Sequence, residues 1–124
     1  MASGGTSLLS GHKYINLETY RKDGSGVITP VWFAIENGKI LVVTRTGTGK
    51  VKRLKNNKSV RFMPSGSRGQ PKGQWTTGSA SFSSSDELKR AVELRNKKYG
   101  IQAKLVGLLS HAKGDLVGIA ITPE

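Results

Sequence analysis

Residues 27–50 decide the fold, and they read VITPVWFAIENGKILVVTRTGTGK. The first part, Val27–Ile35, is rich in β-branched and aromatic residues and predicts a strand, which Pro30 places at a sheet edge or at a bulge. Asn37-Gly38 is typical of a type I′ hairpin turn. The run that follows, Lys39–Thr44, is apolar enough to predict a strand buried on both faces. Two antiparallel strands joined by a tight turn therefore form the centre of the predicted fold.

Further strands are predicted on both sides of this hairpin. Upstream, Tyr14–Arg21 alternates with a period of two, with Ile15, Leu17 and Thr19 on one face, and Asp23-Gly24 indicates a hairpin. Downstream, three more segments have strand character: Ser59–Met63, Gln74–Phe82 and Asp115–Thr122. The first three strands have no crossover helices between them, which disfavours a parallel sheet. We therefore predict a mainly β fold, a small β-barrel of about six antiparallel strands with short helices.

Short helices are predicted at Lys50–Asn57, after Ser84 and at Ile101–His111. The first would bury Val51 and Leu54, and the second opens with a capping box, Ser84 to Glu87. With 124 residues, the chain has the length of one domain, which we place at residues 13–124 after a flexible N-terminus at 1–12.

The charge of the chain is concentrated in its centre. Lys and Arg number 20 against 8 Asp and Glu, a formal net charge of +12. Between Glu36 and Asp86 there is no acidic residue, and the same stretch holds half of the basic ones: Lys39, Arg45, Lys50, Lys52, Arg53, Lys55, Lys58, Arg61, Arg68 and Lys72. Such a segment predicts an anionic partner, which could be nucleic acid, a phosphorylated cofactor or an acidic tail. A merely solvated, solubilising face is the alternative.

The strongest local feature within this segment is the run from Thr44 to Lys50. A strand, a loop of threonines and glycines, a basic residue and a helix start follow one another, as in many phosphate sites. The run is not a P-loop, because Thr44 and Val51 stand where that motif needs Gly and Ser or Thr. On the predicted helix, Arg53 shares a face with Lys50. An ordinary loop with incidental threonines remains the alternative at this point.

Several classes of chemistry have no candidate residues. Cysteine is absent, and the two histidines, His12 and His111, are far apart, which excludes thiol catalysis and makes a metal site unlikely on composition. No catalytic triad and no pair of catalytic carboxylates is discernible, so no catalytic residue is assigned. Trp32 and Trp75 are expected in the core or at an interface. An enzyme of this composition would take its reactive atom from a cofactor.

At the level of a family, the chain resembles the pyridoxamine 5′-phosphate oxidase-like, FMN-binding split β-barrel proteins. Within that family it is most similar to the branch of probable deazaflavin (coenzyme F420)-dependent oxidoreductases. The resemblance extends from Lys13 to Pro123 and is carried by Trp75, Gly78 and five ordered segments: KYINLETYRKDG (13–24), TPVWF (29–33), TRTGTGKVKRL (44–54), RGQPKG (68–73) and KYGIQAK (98–104).

The resemblance implies a homodimer with cofactor sites along its interface and hydride transfer from F420 to an organic substrate. It implies phosphate binding by the run from Thr44 to Lys50 and contact of Thr29–Trp32 with the cofactor ring. We expect cofactor contacts from Thr29, Pro30, Val31, Trp32, Thr44, Thr48, Gly49, Lys50, Arg53, Arg61 and Trp75. Lys52, Lys55, Arg61 and Arg68 are candidates for the oligoglutamate tail of F420. Pyridoxamine oxidases carry Arg and Lys in the strand before the loop, where this chain has Thr29, Val31 and Phe33, which argues against pyridoxamine oxidation and tight FMN binding.

Three alternatives stay open at this stage. The chain could be an FMN-binding protein of the same fold, or a carrier of F420 without turnover. It could also be a basic barrel that binds single-stranded nucleic acid, although its aromatic residues are few for that role. No segment has the length of a membrane span or the pattern of a signal peptide, so we expect a cytoplasmic protein. A small-molecule substrate is what the family resemblance implies.

Overall fold

The computed structural model describes residues 6–100 and 114–124. Within them the chain forms seven strands and two helices of at least eight residues. The strands are β1 Tyr14–Tyr20, β2 Gly26–Trp32, β3 Ala34–Glu36, β4 Lys39–Arg45, β5 Ser59–Ser65, β6 Thr76–Phe82 and β7 Leu116–Pro123. The helices are α1 Gly49–Asn56 and α2 Ser85–Tyr99. None of the described helices is both long and apolar enough to cross a membrane.

All seven strands belong to one sheet in the order β2-β1-β5-β6-β7-β4-β3, and every neighbouring pair is antiparallel. The two edge strands, β2 and β3, are separated along the chain by Phe33 alone. A single residue can connect the two edges only if the sheet curls until they meet. The predicted small antiparallel barrel with short helices is therefore confirmed.

The predicted strand Val27–Ile35 was wrong as a single element, and this raises the strand count from about six to seven. The chain leaves the sheet at Phe33, which is 3% exposed. Side chains of α2 take up its backbone groups: the Phe33 N–H donates to the Tyr99 hydroxyl at 3.1 Å, and Lys98 donates to the Phe33 carbonyl at 3.0 Å. These bonds replace those of a strand partner, so the chain can leave one edge and join the other.

Local predictions agree with the structure at the turns and helix ends. Asn37 and Gly38 have φ values of 53° and 74°, as a type I′ turn requires. Pro30 lies in the edge strand β2. The Ser84 hydroxyl accepts from the Glu87 N–H at 3.2 Å, which closes the N-terminus of α2. The predicted helix at Ile101–His111 lies outside the described residues.

The hydrophobic core lies on both sides of β4. Ile40 and Val42 belong to the main cluster inside the curled sheet, whereas Leu41 packs under α2 with Ala91 and Ala120. This confirms the prediction that the strand is buried on both faces. The main cluster also contains Leu9, Ile15, Leu17, Phe33, Leu54, Val60, Phe62, Ala80, Ile119 and Ile121. The domain boundary at residue 13 stays a prediction, although Leu9, before it, is 1% exposed.

Candidate functional site

The start of α1 has no acidic residue and no side-chain cap. Thr48 is the N-cap residue, but its hydroxyl donates to the carbonyl of Arg45 at 2.9 Å instead of accepting from the first turn. The hydroxyl oxygens of Thr44 and Thr48 are 3.4 Å apart. The first N–H groups of a helix have no acceptor within the helix, and they carry its positive dipole end. An anion can therefore be bound at this point.

Arg53 brings a desolvated positive charge to the same place. Its Nε donates to the hydroxyl of Thr19 at 2.6 Å, and burial, with a contribution from the nearby Arg21 charge, lowers the pKa of Arg53. Among the described residues no carboxylate lies within salt-bridge distance of Arg53. A Cβ at Gly49 would lie 2.7 Å from Nη1 of Arg53, so glycine leaves room for the guanidinium. A bound anion would compensate this charge.

The structure thus brings together five predicted site residues where β4 ends and α1 begins: Thr44, Thr48, Gly49, Lys50 and Arg53. Lys50 is the second residue of α1 and is half-buried. Both hydroxyls, the helix N-terminus and the two cations suit a phosphate ester. The donor set therefore fits the phosphodiester of a cofactor such as F420 or the phosphate of FMN.

The four predicted residues of β2 do not share one face. Thr29 and Val31 lie opposite Leu17 and Ile15 in the register, so they face the core side of the sheet. Their neighbours Pro30 and Trp32 face the other side. Trp32 stacks on Tyr99 of α2, with ring centroids 4.3 Å apart and planes 9° apart. A cofactor ring could contact either pair directly, but not all four side chains from one side.

Arg61 and Trp75 form a separate cluster. Nε of Arg61 lies 2.7 Å from Glu18, which also accepts from the Tyr20 hydroxyl at 2.9 Å. The guanidinium stands 4.5 Å from the ring centroid of Trp75. The bond to Arg61 lowers the pKa of Glu18, so the two charges neutralise each other. Glu18 points to the side of β1 opposite Thr19, the partner of Arg53, because side chains alternate along a strand.

The remaining tail candidates are exposed. Lys52 and Lys55 lie on the outer side of α1, and Arg68 lies in the loop between β5 and β6. The expectation that they hold an acidic tail stays a prediction.

Two arginines, Arg45 and Arg95, were not assigned to the site by the sequence analysis. Arg45, at the end of β4, donates to the carbonyl of Gly114 at 3.1 Å. Arg95 of α2 lines a small cleft of about 10 Å³ together with Trp32 and Val43. Burial, and secondarily the charge of Arg45, lowers the pKa of Arg95. The sequence contained a signal for the position of Arg95. It lies four residues from both Ala91 and Tyr99, and this spacing places it on the buried face of the helix.

The described part of the chain has no group of three His, Cys, Asp or Glu side chains that could hold a metal ion. Two of its carboxylates form ion pairs with arginines, Glu18 with Arg61 and Glu36 with Arg90.

A curled antiparallel sheet with a basic helix start after β4 defines a small barrel with a candidate anion site. The chain belongs to the pyridoxamine 5′-phosphate oxidase family, whose model matches residues 6–124. No curated protein sequence matches the chain significantly.

Solved structures share this fold at low sequence identity. The conserved hypothetical protein Rv2991 from Mycobacterium tuberculosis has a TM-score of 0.74 and 18% identity, over 98% of this chain and 79% of its own. HutZ, the heme storage protein from Vibrio cholerae, has a TM-score of 0.73 and 16% identity, over 98% and 88%. An F420 reductase has a TM-score of 0.64 and 20% identity, over 95% and 91%. Identities this low show the fold alone.

Proposed function

We propose that the protein is a cytoplasmic oxidoreductase that uses F420 to reduce a small organic substrate. The observation that carries the proposal is the uncapped start of α1, with Thr44, Thr48 and Lys50, beside the desolvated Arg53. Family membership and the F420 reductase among the structural neighbours support it. The acid-free stretch from Lys39 to Lys72 suits a cofactor with a phosphodiester and an acidic tail.

In this proposal each residue has a physical role. The N–H groups at the start of α1 and the charges of Lys50 and Arg53 hold the phosphodiester. The Trp32 ring, which stacks on Tyr99, provides a rigid apolar surface for the cofactor ring, and Arg95 places a positive charge beside it. When bound, such a cofactor supplies the hydride for the reduction. The protein positions substrate and ring in contact and excludes water, and no proton donor is assigned.

We further propose that the working unit is a homodimer. The cleft beside Trp32 has a volume of about 10 Å³, far below the roughly 300 Å³ or more of a typical ligand pocket. This cleft of a single chain therefore cannot enclose a tricyclic ring. A second copy that covers the ring would complete the site and exclude water.

The test is a fluorescence titration of the purified protein with oxidised F420 and, in parallel, with FMN. We expect F420 to bind, and Lys50→Ala and Arg53→Met each to weaken it by roughly tenfold or more, since each removes one charge-assisted contact. Lys89→Met is the matched control, because this lysine is exposed on α2 and is not among the predicted cofactor contacts. Tighter binding of FMN than of F420 would indicate that the protein uses a flavin instead.

Turnover is tested separately from binding. Oxidation of reduced F420 that depends on an added acceptor would support the reductase, whereas binding without oxidation by any acceptor would support a carrier. Retention on single-stranded DNA, lost steeply with added salt, together with no binding of either cofactor would contradict the proposal in favour of a nucleic-acid-binding barrel.

A further inference from the structure

A groove of about 430 Å³ lies on the other flank of α2, away from the start of α1. Its walls are residues 9–13, the beginning of β3 and the C-terminal part of α2. The floor is apolar and consists of Leu9, Phe33, Ala34, Ile35 and Leu94. The volume is that of a pocket for a small organic molecule. The proposed F420 site uses none of these residues.

The rim of the groove is cationic. His12, Lys13, Lys97 and Lys98 line it, and no carboxylate is among its lining residues. The nearest acidic groups on the neighbouring elements are already engaged, because Arg90 pairs with Glu36 at 2.8 Å and with Glu93 at 4.0 Å. The groove therefore combines an apolar floor with uncompensated positive charge.

Lys98 is the lysine of the rim whose ammonium group is held in a defined position. Its ammonium nitrogen lies 3.6 Å from the ring centroid of Phe33 and donates to the Phe33 carbonyl at 3.0 Å. That carbonyl also lies 3.1 Å from the hydroxyl of Tyr99. Among the described residues no carboxylate is within salt-bridge distance of Lys98. An ammonium group has three donors, so two remain for an anion.

We propose that this groove binds a small organic carboxylate, whose apolar body lies on Phe33, Ile35 and Leu94 and whose carboxylate is bound by Lys98. The charge complementarity selects an anion, and the apolar floor selects a hydrocarbon or aromatic body. Inorganic anions lack that body, and neutral aromatics lack the charge. The proposal does not depend on the identity of the cofactor at the start of α1.

The charge of Lys98 makes the binding pH-dependent. Burial lowers the pKa of Lys98 to about 8. The other titratable groups that face the groove are His12, Lys13 and Lys97, with Tyr99 behind Lys98. A carboxylate that needs the ammonium form binds less well as the pH rises through about 8.

The experiment compares 2-naphthoate with its neutral isostere 2-naphthamide, by fluorescence or calorimetric titration of the full chain. We expect naphthoate to bind at least about tenfold more tightly at pH 7, and this preference to shrink at pH 9. Lys98→Met should remove the preference and leave the affinity for naphthamide unchanged. Lys98→Arg should retain it, because the charge stays in place. Lys89→Met, an exposed lysine of the same helix, is the matched control.

A second variant keeps the proposal testable if Lys98→Met fails to fold. Ile35 is 38% exposed at the groove, so Ile35→Trp can fill it without disturbing the core, and it should abolish binding of both ligands. Equal affinity for naphthoate and naphthamide would overturn the proposal. So would naphthoate binding that survives both Lys98→Met and Ile35→Trp. If a second copy of the chain covers the groove instead, Ile35→Trp should dissociate the dimer in sedimentation velocity and leave naphthoate binding unchanged. That result would also overturn the proposal.

Discussion

The passage of the chain from one sheet edge to the other at Phe33 depends on a single side-chain group, the hydroxyl of Tyr99. It accepts from the Phe33 N–H at 3.1 Å and donates to the carbonyl of Lys13 at 2.6 Å. Burial raises the pKa of Tyr99 to about 12, so the hydroxyl keeps its proton over the physiological range. A buried N–H without an acceptor is costly, and the chain avoids that cost with one side chain from α2.

We predict that Tyr99→Phe destabilises the fold by about 1–3 kcal/mol, because it leaves the Phe33 N–H without its acceptor while the ring can still stack on Trp32. Urea denaturation measures the change. Tyr20→Phe is the control, since Tyr20 donates to the Glu18 carboxylate, which keeps its bond to Arg61, and supports no backbone group. An unchanged midpoint in Tyr99→Phe would show that water replaces the hydroxyl.

Lys98 gives a second prediction at this scale, with a definite sign. Its pKa of about 8 lies below the ordinary value, so between pH 8 and 10 the unfolded chain binds a proton that the folded chain does not. The free energy of unfolding therefore gains a contribution that rises with pH in this window. Tyr99 acts in the opposite sense, but only above its ordinary pKa of 10.

We expect the stability of Lys98→Met relative to the wild type to fall as the pH rises from 8 to 10, because only the wild type gains the contribution from Lys98. Chemical denaturation at several pH values measures it, with Lys89→Met as the control that should track the wild type. A difference that stays constant with pH would show that Lys98 is fully hydrated in the folded protein.

At the scale of elements, two glycines have opposite roles. Gly78 of β6 packs so closely that a Cβ would lie 2.9 Å from the backbone oxygen of Thr122 and 3.3 Å from Phe62. The carbonyl belongs to the paired strand β7 and cannot move freely. At Gly49 the nearest atom is the mobile end of Arg53.

We therefore predict that Gly78→Ala destabilises the protein by about 1–3 kcal/mol, whereas Gly49→Ala changes its stability by less than about 1 kcal/mol. Gly49→Ala should instead weaken F420 binding, because it displaces the Arg53 guanidinium. Thermal unfolding and the titration described above measure the two effects. Equal destabilisation by both variants would contradict this assignment of roles.

At the scale of the whole molecule, two of the three exposed large apolar side chains of the described residues lie at the two sheet edges that meet. Ile28 of β2 is 50% exposed and Ile35 of β3 is 38% exposed. The cleft at Trp32 is too small to enclose a ring. The exposed Ile28 and the small cleft are what a protein completed by a second copy would show.

We predict that the protein sediments as a dimer and that Ile28→Asp shifts it towards the monomer, because a buried charge at an apolar interface is costly. Sedimentation velocity measures the change. Leu8→Asp is the control, since Leu8 is 63% exposed and lies outside the sheet. A wild-type monomer that still binds F420 would refute the homodimer.

The sequence by itself determined the elements whose signals are local. The alternation of Tyr14–Arg21, the turn at Asn37-Gly38 and the capping box at Ser84 all correspond to structure, because backbone dihedrals and short-range hydrogen bonds depend on neighbouring residues. The order of strand, loop and helix start from Thr44 to Lys50 was predicted for the same reason, because these three elements are neighbours in the chain.

Only the tertiary structure decided what depends on contacts between distant residues. The break at Phe33 needs side chains from α2, more than 60 positions away. The pairing of Arg61 with Glu18 needs β1 beside β5. The partial burial of Arg95 and the contacts of the Lys98 ammonium with Phe33 need the docking of α2. Charge and propensity can be counted along a chain, but whether a cation is compensated depends on which groups the fold brings within reach of it.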